Sequence, residues 1–474
     1  MQILHTARKA LIRISTREAA MNEQAPMRLL SSRWPKFGCL CALAWMLTWT
    51  GPLMADEPLA GRDNVPQRLT LAQAIASALE NNPELAALRQ QHGIAAAGVV
   101  IARTYPFNPI WEGKIRAADG PASAGITNRV SNEHKVLLDI EVRGQGTHRR
   151  QAAQAALSRT DWEIAFQETA LAVRTARAFN AVLYRQEKLR LVEETIRLNE
   201  KSVEQILAVV KQAILRRTDY LTARSELNDA RTQLSPARAA LAAAWRDLRL
   251  ALGSESGAWE LEGKLDLPSA QCEPELLLTA ALERRADLHA RAAAIAEADA
   301  RLRLELANRY GNPNIGPAYE YDPTRVNLIG AQISMPLPVF NTRRSEIQQR
   351  EAERARAGLE LRQAELLVRH DVQAGATRLQ EARTGLELYR TRVLRDAENG
   401  VTEIELLFKK GEPGVELPQV IEFRRKLLKA RDGHLDALLE LRQALADLAA
   451  AVGDPAITVE GASAMTRPIS HNGQ

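Results

Sequence analysis

Little in this chain is placed to do covalent or metal chemistry. The eight histidines (His5, His92, His134, His148, His289, His370, His434, His471) never fall at the i, i+4 spacing that sets two imidazoles on one helical face around a metal. His370-Asp371 lies in a charged helical stretch and reads as a solvated face. Met335 has no methionine beside it to build a copper ladder, and neither a P-loop nor a dinucleotide glycine pattern occurs. Cys39 and Cys41 sit in an N-terminal apolar run and Cys272 stands alone, a pattern without a disulfide framework or a thiolate cage. The chain reads as neither an enzyme nor a cofactor carrier. Two carboxylates are better placed. Asp219 and Glu416 stand 197 residues apart, each just after a turn, Leu215-Arg216-Arg217-Thr218-Asp219 and Lys410-Gly411-Glu412-Pro413-Gly414. A ring of such side chains from symmetry-related copies favours cations at a constriction. The same residues would serve equally as a helix cap and a first-turn acid favoured by the helix dipole.

What would position those turns is a duplication. Leu227, Ala230, Leu234, Ala237, Leu241, Ala244, Leu248 and Ala251 form a narrow Leu/Ala seam at spacings of three and four. Two hundred residues later it returns as Leu427, Ala430, His434, Ala437, Leu441, Ala444, Leu448 and Ala451, identical but for His434 in place of Leu234. On such a seam His434 reads as a tolerated or register-setting polar residue. Both copies stop at a glycine, Gly253 and Gly453, as helices commonly do.

Around each seam the same order of elements recurs. Residues 69–253 read as a first repeat: a helix over 69–103 broken at Asn82-Pro83, a β-hairpin within 105–143 and a long helical hairpin over 148–253. A linker over 254–274 leads to a second repeat, 275–453, with its β-hairpin within 313–336 and its helical hairpin over 343–453. A tail, 454–474, comes last. In the hairpins Trp111, Gly113 and Ile115 alternate with Glu112, Lys114 and Arg116, and Ile329, Ala331, Ile333 and Met335 alternate with Gly330, Gln332 and Ser334. No Gly or Pro interrupts residues 149–211, enough for a helix of roughly 90–100 Å. A second long helix is expected over 343–408, and Pro236 should bend the first seam helix.

Composition agrees with long packed helices: 26% charged residues, only 4% aromatic. The net charge of +5 belongs to the first 55 residues, which hold seven Lys/Arg and two Asp/Glu; the remainder is neutral, which removes the electrostatic case for nucleic acid. Residues 1–55 read as a leader. Met27 to Lys36 is basic, 37–50 is apolar, and Leu53-Met54-Ala55 precedes Asp56, as at a secretory signal cleavage site. Translation could start at Met1, Met21 or Met27. Residues 56–68 form a polar lead-in.

Four amphipathic strands cannot cross a bilayer as an open sheet, because unpaired edge groups in lipid cost several kcal/mol each. Symmetric self-association would close them. At this point the residues resemble a known family. Leu69-Thr-Leu-Ala-Gln-Ala-Ile75 with Asn81-Asn82-Pro83, Ser334-Met-Pro-Leu-Pro-Val-Phe-Asn341, and Gly411-Glu412 ahead of Phe423-Arg-Arg-Lys-Leu427 resemble the TolC-like outer-membrane efflux proteins. The second phrase is most similar to the CzcC-like heavy-metal branch. The resemblance implies a mainly α fold with a small membrane β-barrel: a homotrimeric α/β tube whose 12-stranded barrel is shared by three protomers. It implies an outer-membrane exit duct reaching into the periplasm, partnered by a periplasmic adaptor and an inner-membrane RND pump, with divalent heavy-metal cations as cargo. Asp219 and Glu416 would then gate the periplasmic mouth. Arg216, Arg217, Thr218, Lys409, Lys410, Gly411 and Glu412 would form the tips that meet the adaptor. A duct for drugs or for type I protein secretion is the alternative reading. A periplasmic coiled-coil adaptor is less consistent, since no lipoyl-like all-β segment interrupts the hairpins.

Overall fold

The computed structural model describes residues 67–460 except 118, 121, 122, 124, 127, 129, 213–215, 256, 258, 267–272, 411 and 413. The expected leader, most of the lead-in, Cys272, Gly411 and the tail beyond residue 460 lie outside the described residues. All described residues but Gln67 belong to one unit.

The described chain begins with a short strand, β1 (Gln67–Thr70), not with helix as the sequence pattern suggests. Its partner is β4 (Trp259–Glu262), inside the segment read as a linker. Thr70 ends the strand and caps α1 (Leu71–Asn81): the Gln73 N–H donates to Thr70 Oγ1 at 3.3 Å, and the Thr70 N–H donates to Gln73 Oε1 at 3.0 Å. The helical period therefore starts two residues later than expected.

Helix α2 (Pro83–Arg103) leads to β2 (Ile110–Ala117) and β3 (Val130–Asp139). The 67-residue α3 (Gln145–Lys211) comes next, with α4 (Arg217–Thr232) and α5 (Leu234–Leu252) returning along it. The break between α4 and α5 lies at Gln233, three residues before Pro236. Proline offers no N–H to the Thr232 carbonyl one turn earlier, so the ladder opens there. After β4 the order repeats: α6 (Pro274–Arg284), α7 (Ala286–Ala307), β5 (Asn314–Tyr321), β6 (Asn327–Ser334), α8 (Arg344–Leu388), α9 (Leu394–Lys410) and α10 (Leu417–Val452). A short α11 (Ala456–Glu460) opens the tail and buries Ile457 in the core.

The second long helix runs through a distortion. Residues 389–393 form a π turn between α8 and α9. Such a turn carries one extra residue and rotates the downstream helix by about 100°. Tyr389 at its start lies against Gly433 of α10, where a Cβ would come within 2.5 Å of the phenol oxygen. The glycine makes room for the re-aimed ring.

Both seams are the packed faces of their helices. Ala230, Ala244, Leu248 and Ala251 are buried, as are Ala430, Ala444, Leu448 and Ala451. Helix α10 also buries Leu438, Leu445, Ala449 and Val452, because α8, α6 and α3 all pack on it. The seam ends are clasped in parallel ways by different residues. Buried Asn82 caps α2 by accepting the Leu85 N–H at 3.1 Å and donates to the Ala251 carbonyl at 3.0 Å. In the second repeat buried Arg285 reaches the Ala451 carbonyl at 3.1 Å and is itself held by Asp287. Gly253 and Gly453 have φ of 68° and 78°, and a Cβ on Gly253 would meet the Asn81 carbonyl oxygen at 2.5 Å. Arg442 of α10, its pKa lowered by burial to about 10, donates to the Leu265 and Lys264 carbonyls and straps the segment after β4 to the core.

His434 is half-buried on the second seam. Burial and the nearby Arg390 hold its pKa below the usual histidine value, against the pull of Asp266. The folded chain thus takes up this proton less readily than the unfolded one. Stability is intact above the unfolded value, about 6.5, and falls as pH drops through it towards the folded value. His434→Leu, which restores the residue of the first seam, is expected to raise the melting temperature and flatten its decline below pH 6.5. Circular dichroism melts at pH 8 and pH 5.5 check this; an unchanged acid decline would assign it to other groups.

Candidate functional site: an open sheet and two helical tips

The four long strands form one antiparallel sheet in the order β2-β3-β5-β6, so the two hairpins of the duplication join through β3 and β5. One face carries Trp111, Ile115, Val136, Ile329 and Ile333, all exposed. The other carries Glu112, Lys114, Arg116, Glu133 and Lys135, with Glu133 ion-paired to Lys114 at 3.7 Å, to Arg116 at 3.1 Å and to Lys135. An apolar face bare of any covering helix, backed by a charged face, inverts the usual rule for a sheet resting on a core. It is the pattern of a barrel wall with lipid outside and water inside. Among the described residues no further strand lies beside the edge strands β2 and β6.

Two glycines shape this wall. The Trp111 ring swings over Gly113, where a Cβ would lie 2.9 Å from it, and stacks on His134 at 5.8 Å; His134 in turn stacks on Tyr319 at 6.4 Å. Pro317 lies on an inner strand, a rare position because proline cannot donate to the ladder. The β3–β5 pairing skips this point, between Lys135↔Ala318 and Leu138↔Ile315. Beside it Gly316 admits the Val136 carbonyl oxygen to 1.7 Å from where a Cβ would sit.

At the other end of the helices the two tips meet. Ile206, Ala223 and Leu417 form a small buried cluster with Val210, Tyr220 and Phe408 packed on it, so both hairpins share one apolar plug. Arg216, Arg217, Thr218, Lys409, Lys410 and Glu412 are exposed around it, as tip residues should be. Asp219 is the third residue of α4, and its carboxylate accepts the Arg216 N–H at 3.1 Å. Glu416 is instead the N-cap residue of α10, exposed, with no side-chain cap bond. The two acids are therefore not equivalents: the shared 200-residue offset matches Glu416 with Arg216 and Asp219 with Gln419. In both tips the third helical residue, Asp219 or Gln419, donates its N–H to the cap carbonyl at 3.1 Å.

The contacts tying the hairpins together have no local signature in the sequence. Arg425 of α10 holds Glu226 of α4 with both nitrogens of its fork, the Nε bond at 2.8 Å. Arg424 donates to Glu405 at 2.8 Å and to Ser202 at 2.7 Å. The phrase Phe423-Arg-Arg-Lys is the available signal, yet its partners Glu226 and Ser202 lie 199 and 222 residues away, beyond any local pattern. Of the described histidines, His92 meets Asp161 at 2.6 Å and His289 stacks on Trp162 at 4.5 Å. Among the described residues no three His, Cys, Asp or Glu converge as a metal site, and no helix is long and apolar enough to cross a membrane.

Residues 74–254, nearly the whole first repeat, match the family described as outer membrane efflux protein. No curated protein sequence matches the chain. Among solved structures it is similar to a membrane protein from Pseudomonas aeruginosa, at 18% identity and a TM-score of 0.68, covering 81% of this chain and 92% of that one. It is similar to CusC, in structures described as showing transmembrane channel formation, at 16% identity and 0.67 over 81% and 92%. A third is the open-state MtrE outer membrane channel of Neisseria gonorrhoeae, at 17% identity and 0.63 over 81% and 89%. At these identities the likeness is one of fold. The chain thus has the duplicated helix-and-sheet fold of these channel structures, and its first repeat carries the match to the outer membrane efflux protein family.

Proposed function

We propose that three copies of this chain close a 12-stranded barrel, edge β2 of one against edge β6 of the next, and form an outer-membrane exit duct continued into the periplasm by the helices. The supporting observation is the open four-stranded sheet, apolar and exposed on one face and charged on the other. An even number of antiparallel strands, up in β2 and down in β6, is what head-to-tail closure needs. A periplasmic adaptor meeting the exposed tips and an inner-membrane RND pump would complete the path. Divalent heavy-metal cations are the cargo we favour, on the likeness of Ser334 to Asn341 to the CzcC-like branch. Drug efflux and type I secretion would use the same duct.

Purified protein in planar bilayers is expected to give discrete conductance steps and to cross-link as trimers. Fractionation of the protein as a salt-extractable species without channel activity would overturn the duct.

Asp219 and Glu416 are proposed to line the mouth. Asp219→Asn with Glu416→Gln keeps size and leaves an amide oxygen at 219 to accept the Arg216 N–H. The double variant should lose cation preference, read as a shifted reversal potential under a salt gradient, while its melting temperature stays put. A lower melting temperature with unchanged selectivity would reduce both residues to helix-end roles.

A further inference from the structure

We propose that the loop after β6, residues 335–340, is a membrane anchor: it dips into the periplasm-facing leaflet and packs on lipid acyl chains. The inference rests on the barrel reading of the proposed function. Four observations carry it.

The loop is the most exposed apolar segment of the described residues: Phe340 is 101% exposed, Leu337 78% and Val339 71%. A contiguous apolar patch in water is costly and marks a contact surface.

Its sequence continues the outward pattern of β6. Ile329, Ala331 and Ile333 alternate outward along β6, and Met335, Leu337 and Val339 keep the same two-residue step in sequence beyond the last ladder pair, Asn314↔Ser334, where the strand has ended. The first repeat offers no match: five residues join β3 to α3, against nine between β6 and α8. Only Val142 is a large exposed apolar residue among those five.

The strand is short for its task. The eight residues of β6, tilted about 40°, span roughly 20 Å of an apolar band about 25 Å tall. The loop lies at the helical end of β6, where it can supply the missing height.

Finally, the loop is held in shape. Pro336 rests on Gly311, where a Cβ would come within 2.6 Å of it, and the Val339 N–H donates to the Leu337 carbonyl at 2.9 Å. The Arg343 N–H donates to Asn341 Oδ1 at 2.9 Å, and its guanidinium pairs with Glu305 at 2.8 Å. Beside the Gly311 contact, Tyr310 carries Arg309 and Arg143 over its ring at 5.4 and 4.8 Å. An aromatic ring with guanidinium groups suits the lipid headgroup level, with phosphates as their counter-charge. A neighbouring copy, the other candidate occupant, would present the start of its own β2 and would give no reason for these cations here.

The test uses the full mature chain with Cys272→Ser, nitroxide-labelled singly at Phe340→Cys and at Ile329→Cys, in phosphatidylethanolamine–phosphatidylglycerol vesicles. Both side chains are exposed in the protomer, so neither change disturbs packing. Label collisions with oxygen and with a water-soluble nickel chelate are read by electron paramagnetic resonance. The expected result is that both labels meet oxygen several-fold more readily than nickel. A label at 340 open to nickel, or shielded from both reagents as under a neighbouring copy, overturns the anchor while a lipid-facing 329 leaves the barrel standing. Nickel access at 329 as well overturns both.

Discussion

Leu448→Asp is expected to leave little or no assembled protein in the membrane. Leu448 is fully buried in the main core, in the same cluster as Leu248, Val372 and Leu379. Its side chain lies so close to Gly375 of α8 that a Cβ there would be 3.4 Å from it. The substitution removes a whole leucine from that contact and places a carboxylate inside a buried apolar cluster. Together these cost about 5 kcal/mol or more, a large share of a typical domain's total stability. Leu241→Asp makes the informative comparison, because Leu241 is only half-buried on an edge helix. Its carboxylate can turn towards water, and the cost should be about 1–2 kcal/mol. Urea unfolding followed by far-ultraviolet circular dichroism measures both in one series. Equal losses at 241 and 448 would show that the second seam is not the more deeply packed of the two.

Gly316→Ala is expected to break the sheet while sparing the helices. The new methyl group would sit 1.7 Å from the Val136 carbonyl oxygen, far inside van der Waals contact. No rotamer relieves a Cβ clash with backbone, so β3 and β5 must move apart. That pair is the junction between the two hairpins, and Pro317 has already weakened it. A local cost of about 3–5 kcal/mol is expected at a point with few ladder bonds to spare. Helical circular dichroism should stay near the wild-type value while conductance in planar bilayers is lost. Gly330→Ala is the matched control: it lies in the neighbouring strand, and a Cβ there has nothing within 4 Å. Channel formation by Gly316→Ala equal to that of Gly330→Ala would mean that the close approach at Val136 is not needed for the proposed barrel.

The parts of this protein legible in its sequence are those carried by local periodicity. A three-and-four rhythm marks Leu227 to Ala251 and Leu427 to Ala451 as packed helical faces, and the buried positions on them are Leu227, Ala230, Ala244, Leu248 and Ala251 in the first and Ala430, Leu441, Ala444, Leu448 and Ala451 in the second. A rhythm of two marks the strands, and the register puts Trp111, Ile329 and Ile333 on the bare face as the alternation requires. Asn82-Pro83 and the seam glycines mark helix ends because capping is chemistry between near neighbours. Tertiary structure alone decided the rest. The β1–β4 pairing, the Arg442 strap and the Arg425–Glu226 clasp each join residues far apart in the chain, and no local rule names the partner. The tips show the same limit from the other side. Asp219 and Glu416 look alike as acids after turns, but only the folded backbone shows one inside a first turn and the other before it. A local pattern determines which face of an element turns inward; what that face meets depends on which distant segment packs there, and that is settled only when the whole chain is closed.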